Sequence, residues 1–133
     1  MKHKLLIIKM LLIITPFTCY TQQTTMKRKD LQNIIINQYL HHAEMQEITL
    51  GKGQKAPLHY HPCPVIGIIT LGKVLFQAEG EDPKVLKSGD SFYEPKNIKI
   101  LHFDNVSQTK PAIFIAIYLK EANEKSIEIY KQN

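Results

Sequence analysis

Residues 53–72 read GQKAPLHYHPCPVIGIITLG and decide the fold that we expect for this chain. The stretch lies between two glycines and carries a His-x-His pair, His59 and His61, followed by a run of β-branched residues. Side chains two residues apart on a β-strand point to the same face, so both imidazoles can converge on one point. The pair therefore predicts the beginning of a metal site inside a sheet.

The rest of the chain predicts many short strands. From residue 44 onward the apolar residues alternate with polar ones or form short continuous runs, which favours strands over helices. Turn signals such as Pro95-Lys96-Asn97 separate these runs. Such spacing is typical of an all-β sandwich or barrel. The expected strands are residues 45–50, the His-x-His segment, 65–71, 73–78, 85–86, 91–94, 98–103 and 112–119, with short edge strands possible at 34–36 and 126–130.

The first 21 residues read as an export signal rather than as part of the fold. Two lysines near the start precede a short apolar run, LLIIKMLLII, which is too short to span a bilayer. We expect cleavage after Thr21 and a periplasmic or extracellular protein without a transmembrane span. Lipidation at Cys19 is the less favoured alternative, because residues 16–18 match the small-residue processing box poorly.

The length and the charge of the chain limit the number of domains and the kinds of partner that we expect. A chain of 133 residues has room for one domain. We divide it into the signal (1–21), a flexible lead-in (22–43), a barrel (44–120) and a C-terminal tail (121–133). Removing the signal takes away Lys2, Lys4 and Lys9, so the net charge falls from +5 to +2. The other lysines are scattered, and we therefore expect no nucleic-acid partner.

The His-x-His stretch and a second segment, residues 89–105, resemble the two sequence motifs of the cupin family. The first cupin motif is a glycine, five residues, His-x-His, three or four residues, a glutamate, six residues and a glycine. Gly53, His59, His61 and Gly72 fall on these positions, whereas Val65 stands where the glutamate would be.

The second cupin motif is a glycine, five residues, Pro-x-Gly, two residues, a histidine and then an asparagine. Gly89 and Pro95 match, and Asn97 replaces the glycine. Asparagine tolerates positive φ, so a turn there is preserved. Ile100 occupies the histidine position, and a histidine follows two places later as His102.

The resemblance implies an all-β cupin jelly-roll barrel of two sheets, with a small-molecule pocket near the histidines and pairing into a homodimer. In metal-binding cupins the two motifs supply three histidines and a glutamate to one divalent ion, usually Fe, Mn, Ni or Zn. We accordingly name His59, His61 and His102 as metal ligands. His102 lies roughly 6 to 7 Å beyond the usual position unless a bulge draws it back.

Other ligand sets stay open. Cys63 would give a softer site suited to zinc, Gln77 or Glu94 would replace the missing carboxylate, and a fourth reading has no tightly bound metal. Tyr60, Tyr93 and Glu94 are polar groups near the motifs that could act as acid or base, although packing on the strand surface or rim is the preferred explanation. Candidates for the pocket lining are apolar strand residues: Ile66, Ile68, Phe76, Phe92, Phe103, Phe114 and Ile115.

Three functions are compatible with these residues. The first is an exported cupin that binds a divalent metal, a small molecule or both without catalysis. The second is a metal-dependent dioxygenase or isomerase, for which the sequence names no catalytic residue. The third is a metal-free barrel with a structural or partner-binding role. The loss of the glutamate weighs against the enzyme, and the retained histidine pair weighs against the metal-free barrel.

Overall fold

The structure is a computed structural model that describes residues 25–131. The predicted signal segment and the lipidation site at Cys19 lie outside these residues. Nine strands occupy the described range: β1 (His42–Leu50), β2 (His59–Tyr60), β3 (Val65–Leu71), β4 (Lys73–Ala78), β5 (Lys84–Lys87), β6 (Ser91–Glu94), β7 (Ile100–Asn105), β8 (Ala112–Lys120) and β9 (Glu128–Ile129). No helix long and apolar enough to cross a membrane occurs between residues 25 and 131.

The strands form two antiparallel sheets, in the orders β1-β8-β3-β6 and β5-β4-β7-β2-β9. Strand β8 shows why they face each other, because every second residue from Ala112 to Lys120 is buried. This alternation gives each sheet one face for the interior and one for the surface. The predicted all-β jelly-roll barrel of two sheets is therefore confirmed.

An aromatic cluster fills the space between the sheets. Phe76, Phe92, Phe103 and Phe114 stack with ring centroids between 4.6 and 6.4 Å apart, and such pairs contribute about 0.5–1.5 kcal/mol each beyond the burial of their area. Gly67 on β3 makes room for this cluster. A Cβ at this position would come within 2.2 Å of the Phe92 ring.

The strand bounds agree with the sequence at β3, β4 and β6 and differ around the second motif. The connection after Pro95 is two residues longer than expected, with the Ile98 amide donating to the Pro95 carbonyl and Asn97 at a φ of 62°. Strand β7 consequently begins at Ile100. The expected edge strand at 34–36 does not form, since residues 25–41 pair with no strand. The predicted terminal strand does form, as β9 beside β2.

Candidate metal centre

The His-x-His pair lies on β2 and the residue after it, facing the interior. His59 and His61 are each only 4% exposed, and their ring centroids are 5.0 Å apart. Between them Tyr60 points away and packs on Tyr130 of the tail. The structure thus brings the two imidazoles together through the strand alternation that the sequence indicated.

Backbone carbonyls hold both imidazole rings in place. His59 Nδ1 lies 2.7 Å from the Pro57 carbonyl oxygen, and His61 Nδ1 contacts the Ser126 carbonyl oxygen. A carbonyl only accepts hydrogen bonds, so each Nδ1 carries the proton and donates it. Metal-binding histidines are commonly oriented in this way, with the other ring nitrogen left for the ion. Both Nε2 atoms are therefore the candidate ligand atoms.

Glu94 on β6 supplies the carboxylate that the first motif lacks. Strand β6 pairs with β3 so that Glu94 stands directly opposite Val65, the position of the missing glutamate. Residues directly opposite each other share one face of a sheet. Glu94 is 3% exposed, and its Oε2 lies 2.8 Å from His61 Nε2. One ligand atom from each of His59, His61 and Glu94 lies within 4.8 Å of the others.

His102 is not part of this group. It pairs with Gln77 while Ile100 pairs with Ala78, so Leu101 is an extra residue that makes a bulge in β7. The bulge reverses the alternation beyond it: Ile100 and Phe103 both face the core, and the side chain of His102 is 42% exposed. Its Nδ1 lies 2.8 Å from Asp104 Oδ2. A bulge thus turns His102 outward, where the expected ligand set needed it to turn inward.

The remaining sequence candidates also lie apart from the group. Cys63 is fully buried, and burial raises the pKa of its thiol. Gln77 donates a hydrogen bond to the carbonyl of Glu81 at the surface. Of the acid–base candidates, Glu94 lies with the two histidines and lines the same cavity, whereas Tyr60 and Tyr93 are not in its wall.

The two histidines have opposite pKa shifts. Burial lowers the pKa of His59, with only partial compensation from the Pro57 carbonyl and the Glu94 charge. Burial also lowers that of His61, but the hydrogen bond and the charge of Glu94 outweigh it, and the pKa of His61 is raised. The contact with Glu94 thus favours the protonated form of His61, whereas burial disfavours that of His59.

A cavity of about 140 Å³ opens beside the three side chains. Apart from His59, His61 and Glu94, the only polar side chain that residues 25–131 contribute to its wall is that of Tyr118. Burial raises the pKa of Tyr118 to about 12, so its hydroxyl keeps its proton. Within the described part of the chain this hydroxyl makes no hydrogen bond. The apolar wall consists of Ile48, Leu50, Ala56, Phe103, Phe114, Ala116 and Ile127.

Of the residues expected to line the cavity, Phe103 and Phe114 do so, whereas the three isoleucines do not. Phe103 and Phe114 line the cavity, while Phe76 and Phe92 are buried in the core. On β3 the inward positions are Val65, Gly67 and Ile69, so Ile66 and Ile68 lie on the outer face, and Ile115 does so on β8. A continuous apolar run does not reveal which of its two faces is inside.

The tail contributes to the site in a way that the sequence did not indicate. Ser126 orients His61 through its carbonyl, and Ile127 completes the cavity wall. Ser126 is itself fixed by the buried Lys120, whose ammonium also contacts Glu44. A backbone carbonyl leaves no trace in residue type, and only the strand-like alternation of 126–130 pointed to this segment.

A sequence model of the cupin domain matches residues 46–118, more than half of the chain. The chain belongs to the cupin family. An uncharacterized protein of Methanocaldococcus jannaschii is 33% identical over 60 residues, which cover 45% of this chain and 52% of that protein. The chain matches about half of the length of this curated relative.

Solved cupin structures have the same fold. An oxalate oxidase in complex with glycolate matches 65% of this chain and 45% of its own, at 21% identity and a TM-score of 0.58. A DMSP lyase of Ruegeria pomeroyi matches 65% and 42%, at 21% identity and a TM-score of 0.57. A cupin-like protein of Thermotoga maritima matches 66% and 64%, at 24% identity and a TM-score of 0.56. At these identities the likeness shows the fold alone.

Proposed function

We propose that this cupin binds a divalent metal ion through His59 Nε2, His61 Nε2 and the Glu94 carboxylate, and a small molecule in the adjoining cavity. The observation that carries the proposal is the convergence of three buried ligand atoms within 4.8 Å of one another. Metal–ligand bonds of about 2.0–2.2 Å place such atoms roughly 3 to 3.5 Å apart, so small side-chain rotations complete the shell.

The donor set fits the ions that the family resemblance implies. Neutral imidazoles suit Zn, Fe and Ni, and a carboxylate suits Mn. Both histidine rings are oriented by carbonyls before any ion arrives. In the absence of an ion, His61 and Glu94 contact each other, so the ion takes the place of the proton between them. Three protein ligands leave further positions for water or a bound molecule.

The test is titration of metal-depleted protein with Zn²⁺ by calorimetry, together with metal analysis after dialysis. His59→Ala and Glu94→Gln are expected to weaken Zn²⁺ binding at least about 100-fold, because loss of an outer partner alone costs 10- to 100-fold. His102→Ala is the matched control, since this histidine also has a carboxylate partner but faces outward.

The expected result is that His102→Ala binds Zn²⁺ within about threefold of the unaltered protein. If His102→Ala loses Zn²⁺ and Glu94→Gln keeps it, the three-histidine set is correct instead. If none of these proteins binds Zn²⁺, Fe²⁺, Mn²⁺ or Ni²⁺, the metal-free barrel is correct.

A metal-dependent dioxygenase or isomerase is the second candidate function. Two histidines and one carboxylate with open positions are typical of non-haem Fe(II) oxygenases, and here Tyr118 lines the same cavity as the three candidate ligands. Nitric oxide binding to the Fe²⁺-loaded protein, followed by electron paramagnetic resonance, tests for open positions on the ion. Absence of a nitrosyl signal in protein that holds Fe²⁺ would exclude the dioxygenase.

We also propose that the protein is exported and forms a homodimer. The basic start and apolar run of residues 1–21 support export, and the family resemblance supports the dimer. Mass spectrometry of the mature protein distinguishes an N-terminus at Gln22 from a lipid-modified Cys19. Light scattering coupled to size exclusion measures the mass in solution, and a monomer would contradict the dimer.

A further inference from the structure

The cavity beside the proposed metal site is polar at one end only. Across the first sheet, Glu94, Val65 and Tyr118 are direct neighbours in register. Phe114 lies four residues before Tyr118 on β8, and its neighbours in register are Ile48 on β1 and Ile69 on β3. Four residues of a strand span about 13 Å. The cavity therefore runs from the level of Glu94 and Tyr118 to a wall of aliphatic and aromatic side chains.

Among residues 25–131, no other charged group lines this cavity. The next inward residue on β8 after Tyr118 is Lys120, but its ammonium is bound by Glu44 and Ser126 and is not part of the wall. The wall contains no arginine and no side-chain amide. A second charge or a polyol at the apolar end would lose its hydration without a replacement, which is costly.

The charge of the filled site favours an anion. One carboxylate and two neutral imidazoles leave a divalent ion with a net charge of one. A monoanionic head group on the ion neutralises it, and the Tyr118 hydroxyl can donate a hydrogen bond to that head group. The volume of about 140 Å³ limits the rest of the ligand, since an apolar cavity of about 150 Å³ admits a molecule such as benzene.

We propose that the cavity takes a small monoanion with an apolar body, such as a short-chain or aromatic monocarboxylate, with its head group at the metal site and Tyr118. This inference rests on the proposed metal site and adds the class of ligand to it. It disfavours dicarboxylates and sugar phosphates of similar size as ligands.

The test uses the full chain, loaded with Zn²⁺, and three probes: pentanoate, acetate and succinate. Pentanoate shares its head group with acetate and has three more methylenes, each of which strengthens binding roughly fourfold when it is buried. Pentanoate is expected to bind at least about tenfold more tightly than acetate and than succinate, measured by calorimetry. Ratios below tenfold would overturn the ligand class.

Failure of the ligand class can be separated from failure of the metal site. If Zn²⁺ is held but pentanoate shows no preference over succinate, only the ligand class is wrong. If Zn²⁺ is not held, the proposed function and the anionic head group fail together. Without Zn²⁺, pentanoate is expected to lose at least tenfold in affinity, and undiminished binding would refute the head-group placement.

Two variants test the location of the apolar body. Ala116→Leu fills the cavity from β8, and we expect it to weaken pentanoate binding at least about tenfold while Zn²⁺ and acetate bind as before. The matched control is Ala43→Leu, the same change at an exposed position of β1. Phe114→Leu enlarges the cavity and is expected to shift the preferred chain length from pentanoate to hexanoate or longer. Unchanged pentanoate binding in Ala116→Leu, or unchanged chain-length preference in Phe114→Leu, would overturn the placement.

Discussion

Moving the carboxylate across the β3–β6 pair tests the central feature of the site. Glu94 stands directly opposite Val65, and the Cβ atoms of such pairs are about 5 Å apart. A glutamate side chain is long enough to cover this displacement. The double substitution Val65→Glu with Glu94→Val therefore returns the carboxylate to the position of the usual cupin motif while leaving it on the same inner face.

The expected magnitudes follow from the contacts of Glu94. Glu94→Val alone removes one of three ligands and is expected to weaken Zn²⁺ binding at least about 100-fold. In the metal-free protein it also removes the buried partner of His61. Breaking such a pair costs up to about 3–5 kcal/mol, and less here because the imidazole can lose its proton. The double variant is expected to bind Zn²⁺ within about tenfold of the unaltered protein.

Titration calorimetry with Zn²⁺ measures the recovery, and thermal unfolding shows that each variant is folded. The matched control is Glu94→Val with Ile66→Glu, which places a carboxylate one residue further along β3 on the outer face. This control is expected to stay as weak as Glu94→Val. Equal recovery in both double variants, or a folded Val65→Glu/Glu94→Val protein without recovery, would refute the cross-strand replacement.

Three further predictions concern stability and the buried thiol. Gly67→Ala is expected to destabilise the protein by about 1–3 kcal/mol in urea unfolding, because its Cβ meets the Phe92 ring and the Ile115 carbonyl, whereas Gly51→Ala meets only the end of Gln54; equal effects would contradict this. The contact with Lys120 lowers the pKa of Glu44 in the folded protein. This contact therefore stabilises the folded protein fully above the ordinary carboxyl pKa, and the stabilisation is lost as the pH falls through the lowered pKa of Glu44. Glu44→Gln should therefore lower the melting temperature at pH 7, and by progressively less as the pH falls below the ordinary carboxyl pKa, whereas Glu47→Gln, at an exposed position of β1, should not lower it at pH 7. Because it is buried and its pKa is raised, the Cys63 thiol of a Cys19→Ser chain should react with a disulfide reagent far more slowly in native than in unfolded protein, and rapid native labelling would contradict the burial.

Much of the fold could be predicted because it depends on local patterns. Alternation and turn residues gave the bounds of β3, β4 and β6 directly. Asn97 was expected to preserve the turn of a glycine, and its φ of 62° confirms this. The start of the following strand was harder to predict, because extra residues in a turn or a bulge leave no pattern of their own.

The site was predictable only where its residues are neighbours in sequence. His59 and His61 are two residues apart, so the alternation alone placed them together. Glu94 could be named as a possible replacement, but its direction depends on the register between β3 and β6. That register is set by side chains on both strands and by their turns, and no short segment of sequence records it.

The sequence departs from the cupin motifs at the glutamate and at the third histidine, and the sheet geometry compensates only for the loss of the glutamate. The carboxylate moved between strands to a position directly opposite, which keeps both the face and the level along the strand, so it still reaches His61. The histidine moved along its own strand, which displaces a side chain by roughly 6 to 7 Å even without a bulge. With the bulge at Leu101 it also changes face and contacts Asp104 instead. Ile100, opposite His59, now holds the old histidine position with an apolar side chain. This exchange would remove one nitrogen ligand from the proposed metal site and leave that side of the site without a protein ligand.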